Sequence, residues 1–176
     1  MSTATPAWSE LDSGVCSIAR TLAVIGEPWT VLVLRDLLNG IRRFDELVAH
    51  LGIARNVLTR RLATLVDAGL VETREYREPG RRARREYRPT AAGRDLRPVL
   101  LALMAFGDRH HAGPDGPPAV VEHDCGAPVE LREVCADGHV LGPTDRVRTR
   151  PGPGSRQADR ARRQGPGAGE ADEGAG

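Results

Sequence analysis

The chain has 176 residues, 40% hydrophobic and 3% aromatic, with 25 Lys plus Arg against 24 Asp plus Glu and a formal net charge of +1. That length allows one domain with a real core plus appendages, and the near-neutral balance excludes a protein that coats polyanions over its whole surface. The opening MSTATPAWSELDSG has no positive segment ahead of an apolar one. Apolar runs such as Val31 to Leu34 are far too short for a bilayer, and the three cysteines are an odd number. A cytoplasmic protein with reduced thiols and no membrane partner is therefore expected.

Taken in chain order, Ile18, Leu22 and Ile25 share one face of a short first helix running from Cys16 to Ile25, which Gly26 stops. EPWTVLVLRDLLNG is a second helix, with Pro28 at its first position and Gly40 just past its end. It is apolar nearly all round and therefore central. FDELVAHLG is a third, short helix with Phe44, Leu47, Val48 and Leu51 inward and Gly52 as its stop. Asp45 and Glu46 complement the dipole at its start. GIARNVLTRRLATLVDAGLVE supplies a fourth helix, with Leu58, Leu62 and Leu65 on the buried face and Gly69 at its end. LVETREYRE then loses helical period and predicts a strand, PGRRARR a turn, and EYRP a short return strand. Thr90 caps a long final helix to about His110, roughly 30 Å at 1.5 Å per residue. Its apolar positions Leu96, Val99, Leu100, Leu103, Met104 and Phe106 make a stripe wider than one small core requires.

This order of helices followed by a hairpin and a flanking helix predicts an α+β, mainly α fold: a winged helix-turn-helix with flanking dimerisation helices and a small C-terminal β-hairpin extension. The expected organisation is a flexible N-terminal extension over 1–14, the winged helix-turn-helix with its dimerisation helices over 15–112, a small hairpin extension over 113–150 around the Asp137-Gly138 turn signal, and a disordered tail over 151–176.

Charge is concentrated in the middle of the chain. From Arg42 to Arg97 there are fourteen Arg against eight Asp plus Glu. With its leucines inward, the fourth helix projects Arg55, Asn56, Thr59 and Arg60 from its N-terminal half. Arg suits guanine O6/N7 and Asn suits adenine N6/N7 in the major groove, whereas an ordinary solvated face has no need of an acid-free start. On the hairpin, Arg81, Arg82, Arg84 and Arg85, with Arg88 nearby, suit phosphates or a narrow minor groove. These eight residues, Arg88 apart, are the candidate contacts to double-stranded DNA.

The segment from Cys16 to about His110 resembles the HxlR-type family of bacterial transcriptional regulators. The resemblance rests on the series Cys16, Trp29-Thr30, Leu37 to Gly40, Arg43-Phe44, Leu47, Gly52-Ile53, Leu58-Thr59, Leu62, Gly69-Leu70, Glu86-Tyr87, Thr90, Gly93 and Leu96. It implies a winged-helix homodimer on an operator with dyad symmetry, the outer helices making the dimer. The sequence departs from the family pattern at Ala54, where a small polar cap is common, at Pro89, and at Phe106, where Trp is common. The wing also carries extra arginines. Cys16 matches the position at which some members sense oxidants or electrophiles, so it is the candidate redox sensor. The commoner role of a cysteine at a helix start is that of a small apolar side chain.

In the C-terminal extension, His123 and Cys125 share a strand face while Cys135 and His139 flank the Asp137-Gly138 turn. These four are compatible with zinc, but the spacing is not a common finger pattern. A hairpin without metal is the favoured expectation, and no other cofactor is implied. No catalytic constellation is present: there is no Gly-rich phosphate loop and no nucleophile beside a base at a recognisable spacing. The sequence thus points to a dimeric DNA-binding repressor, not an enzyme, responsive to a small-molecule effector or to thiol modification. Its rivals are a winged-helix protein-interaction module without base readout and a small metal-binding enzyme built on the C-terminal His/Cys cluster.

Overall fold

The computed structural model describes residues 8–77, 80 and 82–156. Arg81, residues 1–7 of the expected N-terminal extension and residues 157–176 of the expected disordered tail lie outside them. The chain divides into two compact units, one over residues 22–145 and one made of its two terminal segments.

In the larger unit, six helices and one hairpin follow in order: α1 (Ser17–Ile25, which begins in the terminal unit), α2 (Pro28–Leu38), α3 (Phe44–Leu51), α4 (Arg55–Asp67), β1 (Val71–Tyr76), β2 (Arg84–Pro89), α5 (Ala91–Arg94) and α6 (Arg97–His111). Val33, Leu34 and Leu37 of α2, Leu47 of α3, Ile53 of the turn, Leu58, Leu62 and Leu65 of α4, and Val71 of β1 form one buried cluster. Burying these side chains at about 1.5–3 kcal/mol each is the main favourable term that holds the helices around α2.

The helix ends are set by glycine and proline. Pro28 occupies the first turn of α2, where its missing N–H is harmless. Gly52 ends α3 at φ +62° and leads into α4 through Ile53 and Ala54. At the end of α4, Gly69 at φ +69° donates its N–H to Val66 O, and Leu70 donates to Leu65 O, both at 2.9 Å. This pair of bonds satisfies carbonyls that the helix itself leaves free. Ala54 gives α4 no side-chain cap, in line with the departure noted from the sequence.

β1 and β2 pair antiparallel, with Val71 opposite Pro89 and Tyr76 opposite Arg84. The residues just before α3 join the hairpin through an Arg43–Glu86 bridge and a bond from Tyr87 N–H to Arg42 O at 2.9 Å. The wing is thereby tied to the start of α3. The return strand begins earlier than its expected EYRP core, so Arg84 and Arg85 are ladder residues opposite Tyr76 and Glu75, not part of the turn. Strand pairing overrides the poor β propensity of a run of arginines.

The expected single long helix after Thr90 is two helices. Thr90 caps α5 by accepting the Gly93 N–H at 3.1 Å, and its own hydroxyl donates to Gly69 O at 2.7 Å. In a continuous helix the Pro98 ring would clash with the carbonyl four residues back. The chain instead turns at Asp95 and Leu96 and restarts as α6 with Pro98 in its first turn. The 15 residues of α6 span about 22 Å.

The apolar face expected on α1 is only partly covered. Ile25 is buried, but Ile18 is 71% and Leu22 55% exposed. On α6, Leu96 (just before it) and Leu100 pack on the core, whereas Val99, Leu103 and Phe106 face outward. No single helix among the described residues is long and apolar enough to cross a membrane.

The C-terminal extension folds as two successive tight turns, each closed by an isolated antiparallel bridge, Glu122–Pro128 and Val134–Val140. In the terminal unit, residues Trp8–Glu10 and Ser13–Val15 each make one turn of 3-10 helix, and the Asp12 N–H donates to Arg156 O at 2.8 Å.

Candidate nucleic-acid interface

The helix-turn-helix is α3, the Gly52–Ala54 turn and α4. With Leu58, Leu62 and Leu65 fully buried, helical geometry sends Arg55, Asn56, Thr59 and Arg60 to the opposite side, and all four are exposed. The first turn of α4 contains no acidic residue, so its amide N–H groups and the helix dipole add partial positive charge there. Asn56 and Arg60 have no side-chain partner among the described residues. Thr59 donates its hydroxyl to Arg55 O at 2.9 Å.

Arg55 is the most constrained of the four. Its guanidinium lies 4.9 Å over the Phe44 ring and bonds Asp45 Oδ1 at 2.9 Å. Asp45 Oδ2 in turn lies 3.7 Å from Arg84 Nη1 on β2. One carboxylate at the start of α3 therefore sits between the head of the recognition helix and the wing. Beside it, Arg43 lies 4.7 Å over the Tyr76 ring. Arg43, Phe44, Arg55, Tyr76, Arg84 and Arg85 line one shallow groove of about 380 Å³. Arg82 and Arg85 are exposed, and Arg81 lies outside the described residues. Arg88 is paired along its own strand: its Nε donates to Glu86 Oε1 at 2.6 Å.

Two carboxylates that matter to this geometry were not singled out from the sequence. Asp45 was assigned only a helix-dipole role, since nothing in the spacing shows that the wing returns beside it. Asp36 lies within the apolar α2 and is 1% exposed. It is held by Arg35 Nη2 at 2.7 Å and lies 2.6 Å from His50 Nδ1 on α3. It thus pins α3 to α2 and with it the turn that aims α4. A charge inside an otherwise apolar helix was the available signal.

Cys16 is half-buried at the junction of the Ser13–Val15 turn and α1. It lines a groove of about 1090 Å³ within the terminal unit, together with Trp8, Ile18 and Pro151. The Arg20 side chain, one turn along, bonds Ser17 Oγ at 3.5 Å. Of the C-terminal quartet, Cys135 and His139 come together, Sγ to Nδ1 at 3.4 Å, and Asp137 joins them with all three ligand atoms within 4.8 Å of one another. His123 and Cys125 lie on the preceding turn and are not within that distance of all three. There the Cys125 N–H donates to His123 Nδ1 at 3.2 Å.

A helix-turn-helix whose recognition helix begins without an acidic residue, beside an arginine-bearing hairpin, defines a winged-helix DNA-binding transcriptional regulator. Residues 24–114 match the model of the HxlR-like helix-turn-helix family. The chain belongs to that family. It is 40% identical over 139 residues to an HTH-type transcriptional regulator of Mycobacterium tuberculosis, covering 78% of this chain and 87% of the relative. With an HTH-type regulator of Synechocystis it shares 36% identity over 94 residues, 53% of this chain and 68% of the relative. Among solved structures it is similar to PA1607, described as a transcription factor, at 36% identity and a TM-score of 0.67 over 77% of this chain and 95% of that one. HypR, a redox regulator, in its oxidised form is 28% identical with a TM-score of 0.50 over 56% of this chain and all of that one.

Proposed function

We propose that this HxlR-type regulator is a cytoplasmic, homodimeric repressor that reads its operator with Arg55, Asn56, Thr59 and Arg60 in the major groove while Arg81, Arg82, Arg84 and Arg85 of the wing hold phosphates. The observation that carries the reading is the Asp45 carboxylate, 2.9 Å from Arg55 and 3.7 Å from Arg84. Two guanidinium groups that bond one carboxylate belong to one face, which a DNA backbone can meet in a single approach. Dimerisation then sets two such faces about one helical turn of DNA apart. Regulation acts by changing their separation or tilt, through a small-molecule effector or through oxidation of Cys16. The redox role of HypR and the groove beside Cys16 support the thiol route.

The test is a footprint of the full-length protein on the DNA upstream of its own gene, titrated against random DNA at several salt concentrations. Arg55→Ala and Arg60→Ala are expected to weaken operator binding by about 1–3 kcal/mol each and to flatten the preference over random DNA. Arg84→Ala and Arg85→Ala are expected to weaken both about equally and to lower the salt slope by about 1 each. Equal loss on operator and random DNA from all four substitutions would remove the base-reading role.

A further inference from the structure

The C-terminal extension holds donors that the DNA-binding face does not use. Inside the Val134–Val140 bridge the chain reverses tightly: Cys135 N–H donates to His139 O at 3.0 Å and Gly138 N–H to Cys135 O at 2.9 Å. Gly138 sits at φ +84°, a left-handed conformation that glycine adopts without the steric cost a Cβ would bring. The reversal brings every second residue, 135, 137 and 139, to one place, with a thiol sulfur, a carboxylate oxygen and an imidazole nitrogen within 4.8 Å of one another.

The Cys135–His139 spacing is that of one edge of a coordination tetrahedron. Zinc bound tetrahedrally, with bonds of about 2.3 Å to sulfur and 2.0–2.1 Å to nitrogen, holds those two ligands about 3.6 Å apart. Cys135 Sγ and His139 Nδ1 are 3.4 Å apart. The donor set also selects the ion. A thiolate and an imidazole favour zinc over the hard cations that take oxygen cages. The thiolate and the Asp137 carboxylate together supply two negative charges against the two positive charges of the metal. The preceding turn is not part of this group: His123 and Cys125 do not join the three within that distance, and His123 Nδ1 accepts the Cys125 N–H.

We propose that Cys135, Asp137 and His139 form a zinc site with three protein ligands and water in the fourth position. On binding, the Cys135 thiol releases its proton to solvent, the imidazole coordinates in its neutral form, and the metal locks the reversal that the two backbone bonds already shape.

The test uses the full-length chain, stripped of metal and dialysed against Zn²⁺, with Co²⁺ as a spectroscopic substitute. One metal per chain is expected, with a thiolate-to-cobalt charge-transfer band. Cys135→Ser and His139→Gln should abolish both, and Asp137→Asn should weaken affinity by more than the roughly 10- to 100-fold that loss of an outer-shell partner costs. Cys125→Ser, His123→Gln and Cys16→Ser should leave stoichiometry and spectrum unchanged. Absence of stoichiometric uptake by the wild-type chain would overturn the site, as would uptake that survives Cys135→Ser. Loss from Cys125→Ser equal to that from Cys135→Ser would overturn the three-ligand assignment in favour of one spanning both turns.

Discussion

A Cβ added at Gly93 would stand 2.1 Å from Leu70 O and 3.4 Å from Pro89 Cβ. The first of these is backbone, and Leu70 O already accepts the Thr90 N–H at 3.0 Å, so it cannot swing aside without breaking the link between the end of α4 and the wing. Gly93→Ala is therefore expected to destabilise the protein by about 1–3 kcal/mol, the usual range for overpacking. The check is a urea midpoint that falls while the m-value stays constant. An unchanged midpoint would mean that the junction relaxes freely. Gly93 was legible in the sequence as one residue of the family series, but its physical reason was not. The close approach joins residues 23 positions apart, beyond any local pattern. The same limit hid Asp36, whose partner His50 lies 14 residues on. Its acid could be noticed in an apolar helix, but not what it bonds.

At the scale of elements, α2, α3 and α4 follow from leucine spacing, Pro28 and the positive-φ glycines, because each signal acts within one or two turns of chain. The return strand and the α5–α6 break were less visible. Arg84 and Arg85 carry no strand signal of their own and enter the ladder only because β1 faces them, and the force of Pro98 was masked by apolar spacing that continues across it. The Asp45 link between α4 and the wing is likewise a product of tertiary return. Its carboxylate is shared by two arginines on a face proposed to meet phosphate and offsets one of their two charges, and DNA must displace it from both. Asp45→Asn removes one negative charge from that face, an effect of about 1 kcal/mol at contact distance in water. Affinity for random DNA should rise roughly fivefold and the salt slope should steepen by about 1. Preference for the operator should change little, since both DNAs displace the same carboxylate. Gel-shift titrations on both DNAs across a salt series check this. Weaker binding to random DNA would show that Asp45 acts chiefly by orienting the arginines.

For the molecule as a whole, α6 has no buried residue, yet Val99, Leu103 and Phe106 repeat along it at the spacing of one helix face. Leu103 is 54% and Phe106 59% exposed. The sequence already showed this stripe to be wider than the core requires, and the structure divides it into an inward part, Leu96 and Leu100, a half-buried Met104, and an outward part, Val99, Leu103 and Phe106. Exposed apolar side chains grouped on one element mark an association surface, and the proposed dimer would cover them. Charging that surface tests the assembly without touching the core. Leu103→Glu and Phe106→Glu should each keep the helical content and the urea midpoint, because neither side chain contributes to the buried cluster, while light scattering should shift from dimer to monomer at micromolar concentration. A monomer holds one reading head and loses the effective concentration of the second, so operator affinity should fall by roughly 10²–10⁴-fold. Random-DNA binding, set by the charges of each face, should change far less. A wild-type chain that scatters as a monomer, or charged variants that remain dimeric and bind the operator fully, would place the dimer contact elsewhere or remove it.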